Sequence, residues 1–246
     1  MMFFEKFFKK KEKNSFAANE NVQALHKNLP FTASEQYRML RTNIQFTLPA
    51  NVKCPVIGVT SSIRGEGKST TSVNLSYMLA EKGHRVLLID ADLRLPSIAK
   101  KLDMKGAPGL SNMLVSSNMD MEEFKSDIHD QWYILPAGDI PPNPSELLGS
   151  ERMEKLLDTL KEQFDYIVID LPPVNLVTDA ISISNFLTGM IVVVRENYVT
   201  KHDVDNCFRQ MNLSNVNILG FVMNESSQGG GTYARKKNYK YYKKEQ

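Results

Sequence analysis

A glycine-containing stretch that ends in lysine and serine carries the clearest chemistry in this 246-residue sequence. It follows the apolar run Val56 to Thr60. Glycines let backbone N–H groups approach a phosphate, a lysine supplies a point charge, and a serine hydroxyl can ligate magnesium. A helix beginning at the loop would add the positive end of its dipole. The stretch therefore predicts a nucleotide-phosphate site. Its candidate members are Gly65, Glu66, Gly67, Lys68, Ser69 and Thr70.

The match to the phosphate-loop pattern G-x-x-x-x-G-K-[ST] is incomplete, because Ser62 stands where the first glycine belongs. The context supports the assignment, since a strand-like run precedes the loop and a helical pattern follows it. Leu75, Met78 and Leu79 share one helical face, and Gly83 is a helix stop. A turn with a chance Lys-Ser pair is the alternative. We also expect Lys68 to be exposed in its loop.

Two further apolar runs end in aspartates. They are Val86 to Ile89, followed by Asp90, Asp92 and Arg94, and Tyr166 to Ile169, followed by Asp170. The carboxyl ends of parallel strands meet at one edge of a sheet, where acids beside a phosphate loop can hold magnesium. One such aspartate alone could instead cap a helix. Two such ends favour a magnesium site formed by Ser69, Asp92 and Asp170.

The elements that must position these residues are short β-rich apolar runs. The remaining runs are Trp132 to Leu135, Met190 to Val194 and Ile218 to Met223. All alternate with helix-length amphipathic segments, which predicts an α/β fold of the P-loop NTPase type, with a mostly parallel sheet and helices on both faces. Asn224 ends the last run and could read a base edge, although a lone asparagine is more often a turn residue.

Composition limits the remaining possibilities. Hydrophobic residues make up 42% of the chain, enough for one sizeable core. The two cysteines, Cys54 and Cys207, lack metal-ligand spacing and suit a reducing compartment. We see no secretory signal and no apolar run near the ~18 residues of a membrane span. These features predict a cytoplasmic protein.

We divide the chain into an N-terminal segment (1–32), a nucleotide-binding domain (33–225) and a tail (226–246). The N-terminal segment places four phenylalanines on one side of a basic stretch, so it is either a membrane- or partner-binding helix or a solvated tail. The glycine-hinged tail is basic and aromatic, which fits disorder, nucleic-acid binding or phosphoryl acceptance. Its tyrosines are Tyr233, Tyr239, Tyr241 and Tyr242.

A helix is predicted from the capping box Thr32 to Glu35 onwards. Glu35, Arg38 and Arg41 recur on one of its faces every three residues. Spacing alone favours an ordinary solvated charge face, with a Glu-Arg pair that contributes a few tenths of a kcal/mol.

From about Glu35 to the tail, the sequence resembles the bacterial protein-tyrosine kinases that regulate capsule and exopolysaccharide synthesis, in particular the separate cytoplasmic kinase of Gram-positive systems. The motifs that carry the resemblance are Gly65 to Thr70 (Walker A), Leu88 to Arg94 (a second Walker A-like motif), Ile167 to Asp170 (Walker B), Pro136 to Gly138, Pro141 to Leu148, the Glu35/Arg38/Arg41 spacing and the tyrosine cluster.

This resemblance implies an enzyme that uses ATP and Mg2+ to phosphorylate protein tyrosines, first those of its own tail in a neighbouring copy. It implies that Glu35, Arg38 and Arg41 pack the copies into a ring, which reverses the interpretation from spacing. Asn224 matches the nucleotide-contacting asparagine of the family. The expected activator is the cytoplasmic segment of a separately encoded, membrane-spanning adaptor of the polysaccharide co-polymerase type. It would place the kinase at the membrane periphery, with no nucleic acid as partner.

Each acidic and basic residue of the site then has an expected role. Lys68 would hold the β and γ phosphates, Arg94 would offset charge, and Asp90 is the candidate base, with Asp92 also at the catalytic centre. A tyrosine pKa near 10 lies ~6 units above that of a carboxylate, about 8 kcal/mol. Proton transfer should therefore come late, which a loose phosphoryl-transfer transition state allows. The chain lacks the H-R-D and D-F-G segments of eukaryotic kinases.

Two other functions remain open. A partitioning or positioning ATPase would use the same loop to drive dimerisation, but such ATPases carry a lysine where this chain has Ile63. A nucleotide-gated scaffold for polysaccharide machinery is the third possibility, and the sequence does not separate it from the kinase.

Overall fold

The computed structural model describes residues 29–115 and 120–225. Its elements, in chain order, are α1 (Phe31–Thr47), β1 (Val56–Ser61), α2 (Lys68–Ala80), β2 (Val86–Asp90), α3 (Ile98–Lys101), α4 (Leu110–Val115), a 3-10 helix (Met121–Phe124), β3 (Trp132–Leu135), α5 (Pro144–Leu148), α6 (Glu151–Lys161), β4 (Tyr166–Asp170), α7 (Asp179–Ser182), a 3-10 helix (Ser184–Phe186), β5 (Gly189–Arg195), α8 (Lys201–Leu213) and β6 (Ile218–Asn224).

The six strands form one sheet in the order β3-β2-β4-β1-β5-β6. Each neighbouring pair is parallel, so every strand presents its carboxyl end at the same edge. Within this edge Asp90 pairs with Asp170 across β2 and β4, and Val59 of β1 pairs with Asp170 from the other side. This arrangement confirms the predicted P-loop NTPase-like α/β fold.

Helices cover both faces of the sheet, which is why the central strands are apolar throughout rather than alternating. On one face α1 and α2 pack over buried side chains such as Ile57 and Val168. On the other face α6 and α8 pack over their sequence neighbours, including Ile167 and Ile169. Because successive strand residues point to opposite faces, each strand contributes to both cores.

All six predicted strands are present, and each observed end lies within one residue of the predicted end. The helix after the phosphate loop, α2, ends at Ala80. Gly83 then adopts a left-handed conformation and donates its N–H to the Ala80 carbonyl. A glycine tolerates this conformation because it has no Cβ, so the expected helix stop is confirmed.

The predicted capping box at the start of α1 is wrong. The helix begins at Phe31 after Pro30, and no side chain caps it. Pro30 accepts the first helical hydrogen bond, from the Ser34 N–H. Thr32 therefore lies inside the first turn, where its hydroxyl is no longer positioned as an N-cap acceptor.

No helix within the described ranges is long and apolar enough to cross a membrane. The expectations for the basic, phenylalanine-rich N-terminus and for the four tail tyrosines concern residues outside those ranges.

Candidate active site

The phosphate loop connects β1 to α2 and depends on two glycines. Gly65 and Gly67 have φ values of 84° and 95°, a left-handed region that disfavours other residues. A Cβ on Gly65 would lie 2.6 Å from the Tyr198 hydroxyl, and one on Gly67 would overlap Asn224 Nδ2. Both glycines are thus required by conformation and by close neighbours.

Glu66 braces the loop from inside. Its fully buried carboxylate accepts hydrogen bonds from Ser62 Oγ (2.7 Å) and from the Ile63 N–H (2.8 Å). The Arg195 N–H lies 3.3 Å from the other carboxylate oxygen. The contact with Ser62 gives the serine that replaces the first glycine of the pattern a structural role. Glu66, predicted to contact the cofactor, contacts the loop itself here.

Lys68 lies between two carboxylates at the carboxyl ends of β2 and β4. Its Nζ is 2.9 Å from Asp92 Oδ2 and 3.4 Å from Asp170 Oδ2. The side chain is only 12% exposed, so the expectation of an exposed loop lysine is wrong. Burial lowers the pKa of Lys68, but the charges of Asp170 and Asp92 outweigh this effect and raise the pKa above its usual value. The lysine is therefore charged and held by ion pairs.

Ser69 and Ser72 place hydroxyl groups beside the same aspartates. Lys68 Nζ lies 3.3 Å from Ser69 Oγ, and Ser72 Oγ donates to Asp170 Oδ1 at 3.1 Å. Asp170 is fully buried, and this burial raises its pKa while Lys68 opposes the shift. The side chains of Lys68, Ser69, Ser72 and Asp170 thus form one hydrogen-bonded group where the phosphate loop meets α2.

The donors predicted for magnesium meet in this group. Two carboxylates and a hydroxyl offer the hard oxygen atoms that Mg2+ prefers, so their chemistry fits the ion. In the described ranges, however, no set of three or more His, Cys, Asp or Glu side chains is arranged as a metal site. Lys68 instead neutralises Asp92 and Asp170 directly. A divalent cation at these oxygens would require Lys68 to move away from them.

Asp90 organises the loop that follows β2. Its Oδ2 accepts from the N–H groups of Ser97 and Ile98, both at 3.0 Å, and its Oδ1 accepts from the Asp92 N–H at 3.2 Å. The carboxylate is fully buried. Burial, and to a lesser degree the charge of Asp170, raises the pKa of Asp90 to about 7. Asp90 thus positions the segment that carries Asp92.

Arg94 is bound by a residue that the sequence did not single out. The fully buried carboxylate of Asp179 accepts from Arg94 Nε (2.8 Å) and Nη2 (3.0 Å). The same carboxylate also accepts from Ser145 Oγ, at 2.5 Å. Ser145 lies in the proline-rich segment that contributes to the family resemblance, but Asp179 has the sequence context of an ordinary acid at a helix start. Only its burial beside Arg94 reveals it.

Asn224 and Arg195 join the end of the sheet to the loop. Asn224 Nδ2 donates to the Glu66 carbonyl at 2.8 Å. Arg195 Nη1 donates to the Gly65 carbonyl at 3.2 Å, and its Nη2 lies 2.6 Å from Glu225 Oε2. No sequence signal points to Arg195, because one arginine after an apolar strand is ordinary in spacing and composition.

The charged stripe on α1 divides into two parts. Glu35 and Arg38 form a half-exposed ion pair at 2.6 Å. Arg41 is 7% exposed, and its Nη1 donates to the Met78 carbonyl of α2 at 2.8 Å. Glu35 and Arg38 are therefore accessible to another molecule, whereas Arg41 ties α1 to α2 within the same chain.

Comparisons with known proteins show what this chain is similar to. A family model described as "ParA: NUBPL iron-transfer P-loop NTPase" matches residues 52–245. The chain is 37% identical, over 201 residues, to a Streptococcus agalactiae protein named tyrosine-protein kinase CpsD, covering 81% of this chain and 85% of the relative. A crystal structure of "the chimerical protein CapA2B2" has a TM-score of 0.72 and 34% identity, covering 78% of this chain and 84% of that one.

A more distant structure shares the fold. The septum site-determining protein MinD of Pyrococcus horikoshii, solved in complex with Mg-ADP, has a TM-score of 0.57 at 24% identity and covers 71% of this chain and 72% of that one. The fold is therefore not confined to the tyrosine kinases.

Proposed function

Since the chain belongs to the P-loop NTPases and, within them, to the bacterial tyrosine-protein kinases of capsule synthesis, we propose that its site transfers the γ-phosphoryl group of ATP to tyrosines of its own tail in a neighbouring copy. The acceptors would be Tyr233, Tyr239, Tyr241 and Tyr242. The observation that carries this proposal is the group formed by Lys68, Asp92 and Asp170 beside a left-handed glycine loop.

The loop would bind the nucleotide through charge and backbone dipoles. The N-terminal end of α2 and the N–H groups near Gly65 and Gly67 favour phosphate oxygens. Lys68 would leave its two carboxylates and move to the β and γ phosphates. Ser69, Asp92 and Asp170 would hold Mg2+, which, when bound, neutralises charge on the phosphates. Arg94, fixed by Asp179, would add a second cation, and Asn224 would contact the base.

The aspartates differ in their access to an incoming phenol. Asp92 has a small exposed fraction, whereas Asp90 is fully buried and already accepts three backbone hydrogen bonds. We propose that both act at the catalytic centre, with Asp90 holding the loop and its pKa of about 7 making it a late proton acceptor. Its higher basicity reduces the mismatch with a phenol, since each pKa unit is ~1.4 kcal/mol.

Assembly and activation belong to the same proposal. Copies would associate in a ring through the exposed Glu35–Arg38 pair. Within each copy, Arg41 would hold α1 in place by its hydrogen bond to α2. The cytoplasmic segment of a membrane-spanning adaptor would activate the ring and hold it at the membrane periphery. The enzyme would thereby regulate capsular or exopolysaccharide synthesis and export.

The alternative candidates receive less support. A partitioning ATPase shares the fold, but this chain carries Ile63 in place of the lysine typical of that class. For iron transfer, which the family model's description mentions, the cysteines are unsuited. Burial raises the pKa of the Cys54 and Cys207 thiols to about 12, which disfavours the metal-binding thiolate.

One experiment tests the kinase proposal. The full chain is incubated with ATP and Mg2+, and phosphotyrosine is mapped by mass spectrometry in wild type, in Lys68→Met and in the surface control Lys155→Met. We expect loss of all phosphotyrosine in the first variant only. Wild-type phosphotyrosine in Lys68→Met would show that this loop is not the catalytic site. ATP hydrolysis with no phosphotyrosine in wild type would favour the ATPase.

A further inference from the structure

Tyr198 is the one tyrosine within residues 29–115 and 120–225 that is exposed to solvent, with 49% of its surface accessible. Tyr77 and Tyr133 are buried, and Tyr37 and Tyr166 are partly covered. A phenol must be reachable to accept a phosphoryl group. On accessibility alone, Tyr198 is therefore the candidate acceptor of the folded domain.

Its location links it to the nucleotide. Tyr198 follows β5 in the connection to α8, and its hydroxyl lies against Gly65 of the phosphate loop, 2.6 Å from the position a Cβ would take. The guanidinium group of Arg195 lies over the Tyr198 ring, with its Cζ atom 4.7 Å from the ring centre. A group attached to this hydroxyl would thus lie beside both the loop and a cation.

Arg195 already has two other partners. It donates to the Gly65 carbonyl at 3.2 Å and forms an ion pair of 2.6 Å with Glu225. Glu225 is the last described residue before the tyrosine-rich tail, and it has a left-handed φ of 52°. Arg195 therefore connects the phosphate loop to the point where the tail begins.

We propose that Tyr198 is a phosphorylation site of this kinase. We further propose that its phosphate group replaces Glu225 as the ion-pair partner of Arg195. The proposal rests on the proposed function, because the donor is ATP bound to the site of another copy. The bond between Pγ and the ADP oxygen breaks, a bond forms between Pγ and the phenol oxygen, ADP leaves, and the phenol proton passes to an active-site carboxylate and then to water.

Charge explains the direction of the exchange. A phosphotyrosine carries about −1.5 to −2 charges and three acceptor oxygens, so an arginine next to it can form paired, charge-assisted hydrogen bonds. Glu225 offers one charge on a half-exposed side chain. Without the ion pair to Arg195, Glu225 would no longer be linked to the phosphate loop.

The same phosphate would oppose nucleotide binding. The phosphate group on Tyr198 would lie beside Gly65, in the loop whose N–H groups would bind the phosphates of ATP. For charges roughly 10 Å apart in water at physiological salt, the repulsion between these phosphates corresponds to a loss of nucleotide affinity of about two- to threefold. Phosphorylation of Tyr198 would therefore lower the kinase activity of the same copy in which the Arg195–Glu225 ion pair has broken.

The modification is directly measurable. Trypsin cleaves after Arg195 and after Lys201, giving the peptide Glu196 to Lys201, in which Tyr198 is the only tyrosine. We expect fragmentation of this peptide to place phosphate on Tyr198 after the full chain has reacted with ATP and Mg2+, and not on Thr200. A variant with all four tail tyrosines changed to Phe should still be modified. Tyr198→Phe should remove the signal, and Tyr166→Phe should not.

The consequence is measured on the variant lacking the tail tyrosines, by ADP titration before and after phosphorylation. The affinity for ADP should fall about two- to threefold, and the additional Tyr198→Phe change should abolish this fall. Phosphate on the tail but not on Tyr198 in wild type would overturn this inference and leave the proposed function standing. Phosphotyrosine nowhere in the wild-type chain would overturn both. Modified Tyr198 with unchanged ADP affinity would overturn the switch.

Discussion

The guanidinium group of Arg94 is fixed by the buried carboxylate of Asp179, through hydrogen bonds of 2.8 Å from Nε and 3.0 Å from Nη2. The two residues are 85 positions apart. Ser145 adds a third hydrogen bond to the same carboxylate, so the first turn of α5 is attached to the loop after β2. The arginine is thereby held two residues beyond Asp92, with part of its side chain open to solvent.

Asp179→Asn should reduce phosphoryl transfer through Arg94. An amide cannot accept both guanidinium hydrogen bonds with a full charge, so we expect kcat/KM to fall on the order of tenfold and stability to fall by about 1–3 kcal/mol. The informative measurement is a double-mutant cycle in kcat/KM with Arg94→Ala. If Asp179→Asn lowers kcat/KM by the same factor in the Arg94→Ala background, Asp179 does not act through Arg94. The exposed Asp158→Asn is the control.

The α1 stripe should separate into assembly and stability effects. Replacing the exposed pair Glu35 and Arg38 with Ala should leave a stable chain that associates less, with tail phosphorylation that depends more steeply on concentration. Arg41→Ala should instead lower the free energy of unfolding by about 1–3 kcal/mol, because it leaves the Met78 carbonyl without this buried donor. Light scattering and chemical denaturation measure the two effects. Unchanged oligomers in Glu35→Ala/Arg38→Ala would assign the pair to a solvated face.

Asp90 should make stability depend on pH. Its folded pKa is raised to about 7, above the unfolded value near 3.9, so the folded state binds the extra proton between these limits. Its favourable contribution is present below about pH 4 and is lost as pH rises to about 7. Relative to Asp90→Asn, the wild type should therefore lose stability over this range. Urea denaturation at several pH values measures the difference, and parallel curves would contradict the assignment.

Tail phosphorylation should loosen assembly by changing charge. The tail (226–246) contains one acidic residue, Glu245, and six basic residues, which are Arg235, Lys236, Lys237, Lys240, Lys243 and Lys244. Each phosphate adds about −1.5 to −2 charges, so three or four would cancel or reverse the tail charge. We expect phosphorylated protein to sediment as smaller species at low salt, with a smaller difference at high salt because exposed charges are screened over about 8 Å. Equal distributions at low salt would exclude this effect.

Local sequence determined the elements of this protein. The apolar runs and the loop around Gly65, Gly67 and Lys68 specify strand, phosphate loop and helix through contacts between near neighbours. Parallel strands share one carboxyl edge, so the aspartates that end two of the apolar runs are enough to assign Asp90 and Asp170 to the site. The exception is the start of α1, where Pro30 and not a capping box precedes the helix.

Tertiary structure alone decided what the charged groups of the site bind. Lys68 meets Asp170 across 102 positions, and Asn224 meets the Glu66 carbonyl across 158. Such partners depend on which strands lie side by side and on how deeply each side chain is buried, and neither leaves a periodic signal. Burial decides the sign of a charge's contribution, because an aspartate is a solvated acid at the surface and a fixed partner with a desolvation cost in the interior. For this reason Arg41, predicted to face a neighbouring copy, holds its own α2, and Asp179 and Arg195 became visible only in the fold.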